Sequence, residues 1–179
     1  RDSAWNNLKA GYPHIADSLS GLILEDGMQS DNSNEKAYSL LYKAQYYYVN
    51  GRHHDAVYYF KRTFQFVEKN KVHPNIELLL NNEYACLMLK MELHDLAIPH
   101  FQKVLKMMRS VPYKPVRHWH FTYNHIANAY YKMGNLDSTI LYRRKALPVL
   151  RYRKSRPMFA STYNNIGMNY QEYGCLLYT

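Results

Sequence analysis

The fold of this chain is decided by residues 37–67, which read AYSLLYKAQYYYVNGRHHDAVYYFKRTFQFV. A small residue, Ala44, is followed three positions later by a large one, Tyr47, and Gly51 stands four positions beyond. Large side chains three or four positions apart share a helix face, and glycine readily takes the left-handed conformation that ends a helix. The stretch therefore predicts two helices joined by a turn at Gly51, with Ala56 opening the second helix.

The same spacing recurs along the chain. The residue that opens the second helix steps by 41 positions from Ala56 to Ala97 and by 42 positions from Ala97 to Thr139. Phe60 and Phe101 each follow that residue by four positions. The small position of each first helix is occupied by Ala44, Ala85, Ala127 and Gly167. The large position is occupied by Tyr47, Met88, Tyr130 and Tyr170. The turn position is occupied by Gly51, Glu92, Gly134 and Gly174. We expect the three tyrosines of this set to be core residues, because a repeat fills the seam between its helices with them.

This pattern resembles the tetratricopeptide repeat (TPR) family over nearly the whole chain. The usual TPR repeat is about 34 residues long, so the longer steps resemble the variety found in bacterial signalling regulators. The resemblance implies an all-α fold, a right-handed superhelix of antiparallel helix pairs that forms a single array over residues 1–179. The array divides into a remnant of an earlier repeat (1–33), three full repeats (34–73, 74–114 and 115–156) and a truncated fourth (157–179).

The corresponding helices are expected near residues 2–10, 13–29, 34–50, 53–70, 75–91, 95–110, 116–133, 137–150 and 158–173, with a further helix starting at Cys175. Prolines in the connections mark the starts of first helices, because proline is tolerated in the first turn of a helix. They are Pro74, Pro112, Pro115 and Pro157. A chain that stops at CLLYT, half-way through a repeat, lacks the polar cap that an array needs. We therefore expect the intact protein to continue, or another chain to cover this end, for example by self-association.

The first helix of each repeat lines the concave wall of such an array, where partners usually bind. The resemblance thus implies a groove for a peptide or protein segment, similar to that of the peptide-binding TPR regulators of bacterial signalling. The candidate groove residues are Tyr38, Tyr42, Gln45, Asn82, Phe121, Asn124, Asn128, Tyr131 and Asn164. The wider wall includes Leu41, Tyr48, Glu83, Cys86, His125, Asn165, Met168 and Gln171.

Three asparagines, Asn82, Asn124 and Asn164, take the same place in consecutive repeats. An amide side chain offers an acceptor and two donors, which match the backbone of an extended peptide. The alternative is that these asparagines cap or brace neighbouring helices, or only solvate a groove. A different TPR subclass clamps the carboxylate tail of chaperones with Lys and Asn in the first repeat and Lys with Arg in the third. Here the first pair is replaced by Leu41 and Gln45 and the second by Phe121 and His125, so this clamp is absent.

Basic residues are concentrated in the second half of the chain. Of the net charge of +9, residues 1–95 contribute −2 (10 basic, 12 acidic) and residues 96–179 contribute +11 (13 basic, 2 acidic). Residues 114–120 (KPVRHWH) and 143–156 (RRKALPVLRYRKSR) mix basic with aromatic side chains, which suits nucleic-acid binding. Both clusters fall on second helices or connections, which favours a solvated edge or a dock for an acidic neighbouring domain. A nucleic-acid-binding repeat remains the alternative function.

The sequence carries no motif of a recognised enzyme class. His118, His120 and His125 lack the three- or four-residue spacing of helical metal ligands, and there is no nucleophile elbow or glycine-rich phosphate loop. We expect no catalytic residue, no cofactor and no metal site. No apolar run approaches the roughly 18–20 residues of a membrane span, and the segment is expected to be soluble, with a cytoplasmic or periplasmic location left open. The prediction is a non-enzymatic peptide- or protein-binding scaffold, by resemblance the sensory or interaction domain of a larger bacterial signalling or transcription regulator.

Overall fold

The computed structural model describes residues 13–110, 116–151 and 156–177. Within these ranges the chain forms eight α-helices and no strand. They are α1 (Pro13–Gln29), α2 (Ser33–Val49), α3 (His53–Lys69), α4 (Pro74–Lys90), α5 (His94–Ser110), α6 (Val116–Lys132), α7 (Leu136–Arg151) and α8 (Arg156–Leu177). The all-α helical-repeat prediction is confirmed. The helix expected at 2–10 and the connection that carries Pro112 and Pro115 lie outside the described residues.

The chain divides into two compact units, residues 1–87 and 88–179, and the division falls within α4. In the first unit α1 packs on α2, and α2 packs on α3. In the second unit α5 packs on α6, α6 on α7 and α7 on α8. In each unit, helices that follow one another along the chain also contact one another. This is the packing that a helical repeat uses to bury its apolar faces.

The helices are held together at the positions that the repeat pattern singles out. Close approach of two helix backbones requires small side chains, and the adjoining large ones fill the seam. The small residues Ala44, Ala85, Ala127, Ala56, Ala97 and Thr139 are all 0% exposed, as are Phe60 and Phe101. The sequence pattern therefore identified the inner face of α2 to α7 correctly. In α8 the equivalent small residue, Gly167, is exposed, so the pattern does not hold there.

The three tyrosines expected in the core do not share one environment. The ring of Tyr47 packs on Tyr59, twelve residues later, with centroids 5.4 Å apart, and Tyr130 stacks on Tyr142 at the same spacing and 5.6 Å. Tyr170, in contrast, is 47% exposed. The prediction of a core position is therefore wrong for Tyr170.

The turns also follow the repeat, with one exception. Gly51, Glu92 and Gly134 have φ angles of 73°, 61° and 74°, the left-handed conformation expected at the end of a first helix. Gly174 forms no such turn, since α8 runs through it to Leu177, and no new helix begins at Cys175.

Replacing Glu92 by glycine should stabilise the protein by about 1 kcal/mol. A residue with a side chain costs about 1–2 kcal/mol in the left-handed conformation, and glycine avoids this cost. Part of that gain is offset because glycine gives the unfolded chain more conformational freedom. The free energy of unfolding in urea measures the change. The reciprocal variant, Gly134→Ala, should cost about 1 kcal/mol at the equivalent turn. A loss of stability in Glu92→Gly would contradict the conformation described for this turn.

Candidate functional site

Side chains of two consecutive first helices, α6 and α8, line one cavity in the second unit. The cavity has a volume of about 560 Å³. Its lining residues are Tyr131 from α6, Arg143 from α7, and Asn165, Met168, Asn169, Gln171 and Glu172 from α8. The sequence pattern places four of them on the wall, namely Tyr131, Asn165, Met168 and Gln171. The cavity therefore brings together wall residues from two successive repeats.

The positive charge in the cavity lining belongs to Arg143, which is only 7% exposed. Its Nη2 donates a hydrogen bond to Oδ1 of Asn128 at 3.3 Å. Its buried Nε has no hydrogen-bond partner among the residues that the structure describes. Burial lowers the pKa of the Arg143 guanidinium, and Tyr131 acts in the opposite direction. A buried donor left unpaired is costly, so this group favours an acceptor placed in the cavity.

The burial of Arg143 corrects the expectation that the whole basic cluster 143–156 lies on an exposed edge. Arg143 shares a helix face with Thr139 and Ala146, both 0% exposed, because residues three and four positions apart lie on one face. Its neighbours Arg144 and Lys145 are exposed, and Lys145 Nζ lies 4.7 Å from the centroid of the Tyr142 ring. The rest of the cluster, from 150 onwards, lies outside the residues whose side chains are described.

The side-chain amide of Asn124 takes part in a hydrogen-bond network of the second unit. Its Nδ2 lies 2.7 Å from Nε2 of His120, and the same ring nitrogen lies 3.2 Å from Oγ1 of Thr162. His120 and Thr162 are buried, at 5% and 2% exposure. This network connects α6 with α8. Asn124 thus holds His120 within α6, and it is His120 that makes the contact with α8.

The remaining groove candidates of the second unit have exposed side chains. Asn164 is exposed, and its Nδ2 makes only a weak contact, 3.8 Å long, with Sδ of Met168. Asn128 is exposed and accepts the hydrogen bond from Arg143. Phe121 and Tyr131 are 39% and 38% exposed. These side chains combine amide groups with aromatic surface.

His125, which the pattern also places on the wall, is a packing residue. Its ring stacks on Phe101 with centroids 5.3 Å apart and an interplanar angle of 11°. Burial lowers the pKa of His125, so the ring is neutral at physiological pH. In the described part of the chain, no three His, Cys, Asp or Glu side chains come together as metal ligands. The side chain of His118 lies outside the described residues.

In the first unit, one candidate must be withdrawn. Tyr42 is only 6% exposed and offers little surface to a partner. Leu41, which the pattern places on the wider wall, is a core residue at 1% exposure. Tyr38 and Gln45 are partly exposed. Both stay candidates for contact.

The partly buried carboxyl group of Glu83 lies on α4, the first helix of its repeat. Nδ2 of Asn82 donates to Oε1 of Glu83 at 3.4 Å, a long hydrogen bond. Burial raises the pKa of the Glu83 carboxyl, and this hydrogen bond acts against the shift. Burial also raises the pKa of the Cys86 thiol to about 12, which leaves it protonated and unreactive. The amide of Asn82 is therefore only weakly engaged.

Solved structures share this architecture. BtubC (BKLC) from P. vanneervenii aligns with a TM-score of 0.81 at 17% identity, over 96% of this chain and 70% of its own. A signal transduction ATPase with numerous domains (STAND) from Pyrococcus horikoshii, which has a tetratricopeptide repeat sensor, aligns with a TM-score of 0.80 at 19% identity. A Podosopora anserina protein named for kinesin light chain, with nearly identical TPR-like repeats, gives 0.75 at 17% identity over 97% of this chain and 84% of its own. The chain has a TPR-like fold.

Sequence comparisons add nothing to this, since no protein-family model matches the chain and a search of curated proteins finds no match. The alignment with the STAND protein covers 96% of this chain but only 26% of that protein. At these identities the likeness establishes the fold alone. In the region that the structure describes, no helix combines the length and the apolar character needed to cross a bilayer.

In the TPR-like arrangement the first helices of the repeats are α2, α4, α6 and α8, and every candidate predicted from the sequence lies on one of them. Sequence reasoning missed three members of the cavity, Arg143 on the second helix α7 and both the buried Asn169 and the exposed Glu172 on α8. For Arg143 a signal was available. Its spacing from Thr139, the anchor of the repeat pattern, places it on the inner face of its helix.

Proposed function

We propose that this chain is a non-enzymatic TPR-like scaffold that binds a peptide or protein segment on the faces of its first helices. The observation that carries the proposal is the cavity of the second unit, which is lined from α6 and α8 together. Tyr131 and Met168, 38% and 59% exposed, supply apolar surface beside it. The amides of Asn128, Asn164 and Asn165 supply donors and acceptors for a peptide backbone. A concave site with apolar lining and a few polar groups is typical of ligand recognition.

We also propose that the scaffold is the sensory or interaction part of a larger bacterial signalling or transcription regulator. The support is the resemblance of the repeat pattern to such regulators and the alignment with a STAND protein that carries tetratricopeptide repeats as its sensor. A repeat array is suited to this role because its extended surface can bind a partner segment without catalysing a reaction. In such a protein, binding to the array would be passed on to a separate output domain.

The test is selection of a random peptide library displayed on phage against the whole 179-residue chain. We expect enriched peptides whose affinity for the Asn164→Ala variant is weaker by about 1–3 kcal/mol, because truncation leaves a backbone group unpaired. The Asn164 side chain is exposed, so its removal should leave the free energy of unfolding unchanged within about 0.5 kcal/mol. Leu141→Ala is the control, since Leu141 is 49% exposed and does not line the cavity.

The Asn124→Ala variant tests whether Asn124 contacts the peptide or stabilises the fold. Because Asn124 is bonded to the buried His120, its removal should lower the free energy of unfolding by about 1–3 kcal/mol.

A library that yields no binder would contradict the proposed function. Peptides that bind Asn164→Ala and Tyr131→Ala as tightly as the unmodified chain would place the site elsewhere. Salt-sensitive affinity for mixed-sequence DNA, with no peptide binder, would favour the nucleic-acid alternative.

A further inference from the structure

Two residues that line the cavity of the second unit each have a buried polar atom whose hydrogen-bonding capacity is unused. Nε of Arg143 is a donor and Oδ1 of Asn169 is an acceptor, and neither has a hydrogen-bond partner in the described part of the chain. The two residues are 7% and 3% exposed. Because a buried unpaired donor or acceptor is unfavourable, native structures rarely leave one without a partner from the protein, water or a ligand. Two residues with such atoms in the lining of one cavity indicate a built polar site.

From these groups we infer that the cavity binds a carboxylate of the peptide partner through the Arg143 guanidinium, an inference that rests on the proposed function. The planar guanidinium presents donors that match the two oxygens of a carboxylate. Oδ1 of Asn169 accepts a hydrogen bond from the backbone N–H of the residue that carries the carboxylate. Tyr131 and Met168 contact the apolar part of that residue.

The charge balance of the cavity favours a carboxylate over a phosphate. Arg143 is the basic residue of the lining, and Glu172, an acidic one, lines the same cavity. No described carboxylate lies within ion-pairing distance of Arg143. A ligand with a single negative charge therefore neutralises the buried guanidinium, whereas a phosphate dianion would carry an excess charge beside Glu172. In a partly buried site an uncompensated charge is strongly unfavourable.

This site differs from the carboxylate clamp that the sequence lacks, because its cation comes from a second helix. Arg143 lies on α7, and its Nη2 is held by Oδ1 of Asn128 on α6 at 3.3 Å. This hydrogen bond uses Nη2, one of the three nitrogens through which the guanidinium can donate. Asn128 is thus a positioning residue for Arg143.

Two sources can supply the carboxylate, the C-terminus of a peptide or an acidic side chain. Three small probes separate them: N-acetylphenylalanine carries a terminal carboxylate, N-acetylaspartic acid α-amide carries a side-chain carboxylate, and N-acetylphenylalanine amide carries none. Each is titrated into the ¹⁵N-labelled whole chain while the Arg143 Nε–Hε resonance is followed by NMR. That resonance is assigned by its loss in Arg143→Lys.

We expect a saturable shift of the Arg143 Nε–Hε resonance with one or both carboxylate probes and no shift with the amide. The larger response identifies the source: a terminal carboxylate or an acidic side chain. In Arg143→Met, the dissociation constant of the responding probe, measured from backbone amide shifts of the α8 lining residues, should rise about tenfold or more. Arg144→Met is the matched control, because Arg144 is the exposed neighbour in the sequence, and it should leave the constant unchanged.

The inference fails if neither carboxylate probe shifts the resonance, if the amide probe shifts it equally, or if inorganic phosphate binds more tightly than the carboxylates. Because Arg143→Met removes a buried charge, its circular dichroism spectrum must match that of the unmodified chain. If it does not, Arg143→Lys replaces it, and the fork geometry of arginine predicts a weaker affinity for that variant as well. Library peptides that bind Arg143→Met and Arg143→Lys with full affinity would overturn the carboxylate site while leaving the proposed peptide-binding function intact.

Discussion

Truncating Phe101 to alanine should lower the free energy of unfolding by about 3–5 kcal/mol, the range for a phenylalanine in a packed core. The ring is 0% exposed and stacks on the half-buried ring of His125 with centroids 5.3 Å apart. Its loss removes apolar burial and leaves a cavity between α5 and α6, which the surrounding helices can refill only in part. Urea unfolding of the whole chain, followed by circular dichroism, measures the change.

Phe121→Ala is the matched control in the same unit. Phe121 is 39% exposed, so the same truncation should cost only about 1 kcal/mol. In the first unit Phe60, the equivalent of Phe101 and also 0% exposed, should behave like Phe101 when truncated. Equal losses for Phe101→Ala and Phe121→Ala would show that position 101 does not occupy the seam between helices.

The helices and their inner faces could be predicted because their signals are local. The expected helix at 95–110 is observed as His94–Ser110, and α4 begins at Pro74, the proline that marked its start. Ala97 and Phe101 are buried as the repeat spacing requires. Apolar periodicity, turn residues and prolines each act within a few residues, so a single sequence displays them directly.

The roles of polar side chains on those faces could not be predicted in the same way. Asn124 and Asn164 occupy equivalent positions, yet the first is bonded to the buried His120 and the second is exposed. The difference arises because the residue four positions earlier on the same helix is His120 for Asn124 but Ala160 for Asn164. His120 is in turn held by Thr162, 42 residues further along, a contact that no local pattern shows. Position on a helix fixes the direction of a side chain, but its partner depends on what the neighbouring helix presents and on the rotamers chosen by both.

Replacing Gly27 by alanine should destabilise the first unit by about 1–3 kcal/mol, the cost of forcing an extra carbon into a packed contact. A Cβ at this position would collide with Cβ of Ser39 on α2 and lie 2.6 Å from its Oγ. Ser39 is 1% exposed, and its Oγ donates to the carbonyl oxygen of Lys36 at 2.8 Å, so it cannot simply turn away. Alanine is the better helix former by about 1 kcal/mol, but the collision with the base of a buried side chain outweighs that gain.

Gly21→Ala in the same helix separates the two effects, because a Cβ there would have nothing within 4 Å. It should stabilise the protein by about 0.5–1 kcal/mol through helix propensity alone. The double variant Gly27→Ala, Ser39→Gly removes the colliding atoms and should recover part of the loss, which additivity of the single changes would not produce. The measurement is urea unfolding of the unmodified chain, the single variants Gly21→Ala, Gly27→Ala and Ser39→Gly, and the double variant. If Gly27→Ala proved as stable as Gly21→Ala, helix α1 could not approach α2 at Gly27 as closely as described, and small residues would not be what sets that contact.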